Sequence, residues 1–402
     1  MADEVLLDWL DDELVQGLLA LLNSGGEEAR VAGGAVRNAL MGQPVADIDI
    51  ATTMLPDAVS MLLEKAGYKI VPTGIAHGTV TAVAKGRAFE ITTLRRDVAT
   101  DGRHAQVAFG RDWEADAKRR DLTINALYMD ADGKVLDRVG GLADIEARVV
   151  RFVGDADRRI REDYLRILRF FRFFAWYGQH RPDADGLKAC TRLKGGLSHL
   201  SAERAWQELS KLLAAPDPSR AILWMRQTGV LSAVLPESEK WGIDALPGLM
   251  AAERDEKWPP DPLLRLMAII PPRVDVIEGM VARLKLPNKV RDRLHAWSNH
   301  AVPDARGEPD QFRRLLYRSD VAAITDRLRL AIARQDEHAA SYRRLLTEAE
   351  TWEKPTFPLS GKDLLASGME AGPQVSKRLT ELEEAWMESD FTLSKEALLS
   401  LS

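Results

Sequence analysis

The pattern of apolar and polar positions changes character twice along this 402-residue chain. Up to residue 28, Val5, Leu6, Trp9, Leu10, Leu14 and Leu18 recur at helical spacing and predict an acidic amphipathic helix, ended by Gly25-Gly26. From Ala29 to about Asp137, short apolar runs alternate with turns and helices. Strands are expected at Asp47–Ala51, Gly78–Ala84 and Phe89–Leu94, with another at Leu127–Asp130 or just after it. Between Val31 and Leu40 the chain reads as a strand end, a glycine turn at Gly33-Gly34 and the start of a helix. Beyond about Val149 strand signals almost vanish. Helix follows helix, punctuated at Ala215–Pro218, Trp258–Pro260, Pro271-Pro272 and Glu353–Pro355. The expected fold class is α+β: a head with a small mixed sheet (1–138), a helical neck (139–200) and an all-helical body and tail (201–402).

Composition narrows the possibilities. No stretch approaches the roughly 20 apolar residues of a membrane helix. Met1 to Glu13 carry six acidic groups and no basic one, the reverse of a targeting peptide. Cys190 is the sole cysteine, which excludes an internal disulfide and a cysteine-based zinc cage and suits a reducing, cytoplasmic setting. A net charge of −6 speaks against nucleic acid as a partner. Its distribution weakens that objection: residues 1–30 alone sum to −7, and residues 151–200 hold eleven Lys/Arg against six Asp/Glu.

Candidate chemistry begins at Asp47 and Asp49. Two residues apart on a strand, their carboxylates share a face, and like charges so close call for a bound cation. Ligands that are all oxygen favour magnesium held jointly with substrate phosphates. Glu90, in the expected strand 89–94, is placed to supply a third carboxylate. Upstream, Gly33-Gly34 opens a helix where backbone can approach a phosphate, and Arg37 sits one turn in. Neither Gly133-Lys134 nor Gly361-Lys362 is followed by the Ser or Thr of a nucleotide-binding P-loop. Arg119-Arg120-Asp121 offers a grip for triphosphate or ribose, with Asp121 free to cap a helix or read a sugar hydroxyl. Further on, Ile160, Tyr164, Ile167, Leu168, Phe171 and Phe174 form an apolar stripe, with Asp163, Arg166, Arg169 and Arg172 recurring every three residues opposite it. That row is either a helix laced with Asp–Arg pairs or a base reader. Carboxylate and guanidinium together present the acceptor and donors of a Watson–Crick edge.

Gly33-Gly34-x-x-Arg37 followed by Asp47-Ile48-Asp49 resembles motif A of the DNA polymerase β-like nucleotidyltransferases, and specifically the bacterial class II CCA-adding enzymes and their sister poly(A) polymerases. Arg119–Leu127 resembles motif B, Asp137–Ile145 motif C and Arg161–Arg172 motif D, in the order that family requires. The likeness is strong over about 30–180 and weak beyond 200. It implies addition of CCA to the 3′ end of tRNA from CTP and ATP by two-metal transfer with Mg²⁺. Gly34, Arg37, Arg120 and Asp121 would serve the nucleotide. Asp163 and Arg166, steadied by Arg169 and Arg172, would act as a protein template. The charged stretch between Arg95 and Arg119, with little helix or strand pattern before Trp113, matches a flexible loop that the family uses to switch from CTP to ATP. Motif C glycines suit a hinge, and His77 shapes a turn. Two positions depart from the family: Leu122 stands for its usual Phe, and Asn38 for its usual Asp. Poly(A) polymerase, or an enzyme adding only CC or only A, is the alternative.

Overall fold

The structure is a computed structural model that describes residues 8–74, 78–101 and 104–401. Val5, Leu6, His77 and Gly102-Arg103, on which expectations were placed, lie outside the described residues. The chain forms two compact units, Met1–Pro236 and Glu237–Ser402.

The amino-terminal helix is shorter than its pattern. Helix α1 spans Glu13–Leu22, because Asp12 stops it by accepting from the backbone N–H groups of Leu14 and Val15. The seven-stranded sheet is built from β1 (Ala29–Ala32), β2 (Asp49–Thr52), β3 (Lys69–Gly74), β4 (Thr79–Ala84), β5 (Arg87–Thr93), β8 (Leu127–Met129) and β9 (Val135–Asp137), in the order β3-β4-β5-β2-β1-β8-β9. Among the described strand pairs of this sheet, β2 and β5 run parallel and the others antiparallel. Helices α2 (Gly34–Leu40) and α3 (Pro56–Lys65) follow β1 and β2.

Strand β2 begins two residues later than expected, so Asp47 precedes it. The reason is its neighbour: the last β1–β2 pair is Ala32↔Asp49, and the chain then turns away at Gly33. The side-chain alternation nevertheless persists through the extended segment, with Asp47 and Asp49 exposed and Ile48 and Ile50 buried. Strand β3 escaped the reading because Pro72 interrupts its pattern, which an edge strand tolerates.

The stretch after Arg95 is not irregular. It folds into an antiparallel ribbon of β6 (Arg95–Asp101) and β7 (His104–Phe109), separate from the main sheet. Few apolar residues mark it, so period-two alternation is faint. Its base is anchored. Leu94 N–H donates to Thr52 O on β2 at 2.7 Å, and Gly110 N–H to Leu94 O at 2.9 Å. Phe109 lies so close to Gly78 that a Cβ there would stand 2.6 Å from its ring. Arg111 reaches Glu27 and the Gly26 carbonyl, both at 2.6 Å.

Helix α4 (Trp113–Arg119), a 3₁₀ turn (Thr123–Asn125) and α5 (Gly141–Glu146) come next along the chain, with β8 and β9 between the last two. A cluster containing Ala32, Ala51, Leu94, Trp113, Ala117 and Tyr128 forms the core against β1 and β2. Helices α6 (Ala156–Glu162), α7 (Leu165–Tyr177), α8 (Ala184–Leu193), α9 (Ala202–Leu213), α10 (Ser219–Thr228) and α11 (Val230–Val234) follow. The expected single helix through 161–172 is therefore two. Asp163 breaks it with an extended backbone (φ −159°, ψ 110°) while its carboxylate accepts from Leu165 N–H at 3.1 Å.

Among its described residues the second unit contains helices and the connections between them but no strand, from α12 (Ala245–Asp255) to α21 (Lys395–Ser400). Among the described residues no helix is long and apolar enough to cross a membrane.

Candidate active site

Motifs A, B and D meet in one cleft of the first unit, about 680 Å³ in volume, lined by eight basic and four acidic side chains. Gly34, Arg37, Asp47, Asp49, Arg120, Asp121, Asp163, Arg166, Arg169 and Arg172 all border it. Glu90 does not. It stands on β5 in register with Asp49, adding its charge from beside the cleft.

At the floor, Gly33 caps α2 with φ +69°, and a Cβ there would meet the Arg120 guanidinium at 3.0 Å. Glycine is required at that position and permits the close approach. Asp49 is open to solvent on the cleft side, but the protein crowded around it partly desolvates its carboxyl, and Glu90 and Asp47 add like charge, so it lies above the usual range although Arg120 opposes this. That is the electrostatic signature of a place for a cation. Asp47 and Asp49 give an all-oxygen donor set on the cleft that Gly33 also borders. Among the described residues no three carboxylate, histidine or cysteine groups form a complete cage. The fit is to a hard divalent ion that takes its remaining ligands from water and a bound nucleotide.

The arginines are held by partners that sequence reasoning missed. Asp116, on α4, grips both Arg119 (2.6 Å) and Arg120 (3.3 Å) and accepts from Tyr128 Oη at 2.6 Å. Its spacing of three and four residues from the arginine pair was the available signal. Arg37 is buried and, among the described residues, its hydrogen-bond partners are all neutral: Asn125, Asn38 (2.9 Å) and Tyr177 Oη (2.9 Å), with the Tyr177 ring 4.2 Å below it. Burial accordingly pushes the Arg37 guanidinium down. Asn38 uses both ends of its amide, since Nδ2 also donates to Pro44 O at 2.9 Å in the segment leading to Asp47.

From Arg37 a continuous chain of contacts crosses the site. Asn125 Nδ2 donates to Asp121 at 3.2 Å, and Arg169 Nε to the other Asp121 oxygen at 2.6 Å. Glu208 then lies 3.9 Å from Arg169 and 3.1 Å from Arg172. Asp121 also accepts from Leu122 N–H. Its carboxylate is thus occupied by protein.

Asp163 and Arg166 do not pair with each other. Arg204 Nη2 holds Asp163 at 2.6 Å, while Arg166 binds Glu162 at 2.6 Å and the Arg159 carbonyl at 3.0 Å. The cleft wall that carries Arg204 and Lys211 is α9, and with Glu208 these follow an i, i+4, i+7 spacing along one face. That periodicity was present beyond residue 200, where no role was assigned.

Buried carboxylates give this site an acid limit. Burial alone would raise Asp116 and Asp121, but the guanidinium charges of Arg119 and Arg120 on the first, and of Arg169 on the second, hold both below the usual carboxylate range. A depressed native value stabilises the fold above the unfolded value of about 4, and that contribution is lost as pH falls below it. Melting temperature should therefore drop below about pH 4, and Asp116→Asn should flatten that acid limb while destabilising the protein near neutrality. An equally steep acid limb in the variant, by differential scanning fluorimetry, would exclude Asp116 as the group.

A carboxylate pair at the entry to a strand, beside a glycine turn and in a basic cleft, is an arrangement that suits nucleotidyl transfer. Comparison with known proteins gives the family. Residues 29–151 match the family model described as the poly A polymerase head domain, and 182–241 that described as the probable RNA and SrmB-binding site of polymerase A. The chain is 35% identical to CCA tRNA nucleotidyltransferase 1, mitochondrial, of Mus musculus, over 96% of this chain and 89% of that one. It is 33% identical to the CCA-adding enzyme of Geobacillus stearothermophilus, over 95% and 94%. The crystal structure of the Bacillus stearothermophilus CCA-adding enzyme in complex with CTP superposes with a TM-score of 0.76 at 30% identity, covering 96% of this chain and 95% of that one. This chain belongs to the CCA tRNA nucleotidyltransferase family, an enzyme family that uses a divalent metal.

Proposed function

We propose that this protein adds CCA to the 3′ end of tRNA from CTP and ATP without a nucleic-acid template. The observation that carries the reading is that Asp163 and Arg166 border the same cleft as Asp47 and Asp49, so base selection and phosphoryl chemistry share one bound nucleotide. The relative with a comparable fold was crystallised with CTP.

Gly34, Arg37 and Arg120 would bind the triphosphate. Asp47 and Asp49, with Glu90 alongside, would hold Mg²⁺; the chemistry such ions supply when bound is a more acidic 3′-hydroxyl and charge neutralisation on departing pyrophosphate. The RNA 3′-oxygen bonds to the α-phosphorus as the bond to pyrophosphate breaks. Asp121 holds Arg169 in place rather than meeting the ribose directly. Arg204 and Glu162 orient Asp163 and Arg166, which would read an exocyclic amino group beside a ring-nitrogen acceptor, the edge that cytosine and adenine share. We assign the head to 1–138 and nucleotide selection to the neck from 139, continued into α9 because Arg204, Glu208 and Lys211 stand there. The remaining body and tail would grip tRNA by shape and phosphate contacts. We place the enzyme in the cytoplasm, a setting that its lone, buried thiol suits.

Purified protein given tRNA lacking its CCA end should add two C residues with CTP alone and complete the A when ATP is also present. A long A tract from ATP alone would make it a poly(A) polymerase instead. Arg166→Ala should relax discrimination among CTP, ATP, UTP and GTP by one to two orders of magnitude, about 1.5–3 kcal/mol for a lost charged hydrogen bond. A uniform loss for all four would reduce Arg166 to a helix-stabilising ion pair with Glu162.

A further inference from the structure

The second unit contains a cleft that the reaction above does not use. Trp241, Met267, Pro272, Trp297, Arg327 and Arg334 line it, and no acidic residue does. Arg327, on α17 (Val321–Ile332), is 9% exposed. Its Nε donates to the Trp297 carbonyl at 3.0 Å, and its guanidinium stacks 4.8 Å from the indole of Trp297 on α15 (Asn288–Asn299). No carboxylate pairs with it among the described residues. The neighbouring Asp326 is committed elsewhere, since Arg293 takes both Asp326 (2.7 Å) and Asp261 (2.5 Å). Burial, reinforced by the charge of Arg334, pushes Arg327 down to about 10. The Trp297 indole N–H is also buried with no acceptor among the described residues.

A buried guanidinium without a counter-ion among the described residues and a second, exposed arginine at one cleft are groups that an anion would satisfy. Trp241, 45% exposed at the same cleft, adds a ring face on which a nucleobase can stack. We propose that this cleft seats a backbone phosphate of the tRNA, with Arg327 and Arg334 on the phosphate and Trp241 against the adjoining nucleoside. A free phosphate ion offers the same charge but would leave Trp241 unused. This inference rests on tRNA being the substrate and assigns an RNA contact within the helical unit.

The test is filter binding of tRNA lacking CCA between 50 and 200 mM salt, for the full chain and for Arg334→Gln, Arg327→Gln and Trp241→Ala. Each arginine variant should weaken tRNA binding about fivefold and make the log–log salt slope shallower by about one, because one phosphate contact is lost. Trp241→Ala should weaken binding by a similar factor without changing the slope. The KM for CTP should stay unchanged in all three. Arg334 is exposed, so Arg334→Gln decides the matter if Arg327→Gln fails to fold. Unchanged tRNA affinity and slope in folded Arg334→Gln would overturn the proposal. So would calorimetry showing inorganic phosphate bound by the native chain and lost in the arginine variants while tRNA affinity holds. A native chain that binds tRNA through these residues yet incorporates neither C nor A would sink the assigned reaction and leave this contact standing.

Discussion

Asp49→Asn is expected to give a folded protein that adds neither C nor A, with turnover reduced at least about a thousandfold. The side chain keeps its shape and its place at the start of β2, opposite Ala32 and beside Glu90, so the sheet has no reason to change. What is lost is one of the two charges that make the place attractive to a divalent ion. The stability sign is opposite to that of most catalytic knockouts. Asp49 has a raised carboxyl value, so above its unfolded value the ionised group costs stability, and that cost is relieved as pH falls. The neutral amide removes it. The melting temperature of metal-free protein should therefore equal or exceed that of the native chain. Normal turnover at saturating magnesium would remove Asp49 from the mechanism, and a lower metal-free melting temperature would show that its charge is satisfied by protein.

Replacing Val98–Val107 with a short Gly-Ser turn should leave both C additions near normal and slow the terminal A addition at least about a hundredfold. The ribbon's base explains why the cut should spare Phe109, Gly110 and Arg111. Those residues hold the ribbon to Gly78, Leu94 and the α1–β1 connection, and Leu94 is bonded directly to the end of the strand that carries Asp49. A ribbon tied to β2 is mechanically placed to bias the pocket when a purine must enter. Single-turnover assays on tRNA ending in CC, with ATP, measure the step. Equal loss of C and A addition would point to general substrate binding, and no loss would leave the ribbon without a part in the switch.

The residues legible in the sequence were those whose chemistry depends on local spacing. Asp47 and Asp49 share a face because alternation persists even before the strand begins, and Gly33 declares itself because only glycine takes that turn readily. The motif D row was legible as residues and misleading as structure. Its three-residue period predicts one helix, whereas Asp163 prefers to cap the backbone and so breaks it. The supports were illegible because they come from distant segments: nothing near Asp163 announces Arg204, and nothing near Arg172 announces Glu208. The β6–β7 ribbon was missed for another reason, since with few apolar residues it carries little of the alternation by which strands are recognised.

The contacts running from Arg37 through Asn125, Asp121, Arg169 and Glu208 to Arg172 also bear on how this site can be altered. Each link neutralises or orients the next, so changes along it should be strongly epistatic. Transplanting motif D alone from a relative with different specificity would strand Asp121 or Glu208 without its cation. A graft that carries Asn125, Asp121 and the Arg204–Lys211 segment of α9 with it moves the whole relay, and a screen for altered nucleotide choice should treat those positions as one inherited block.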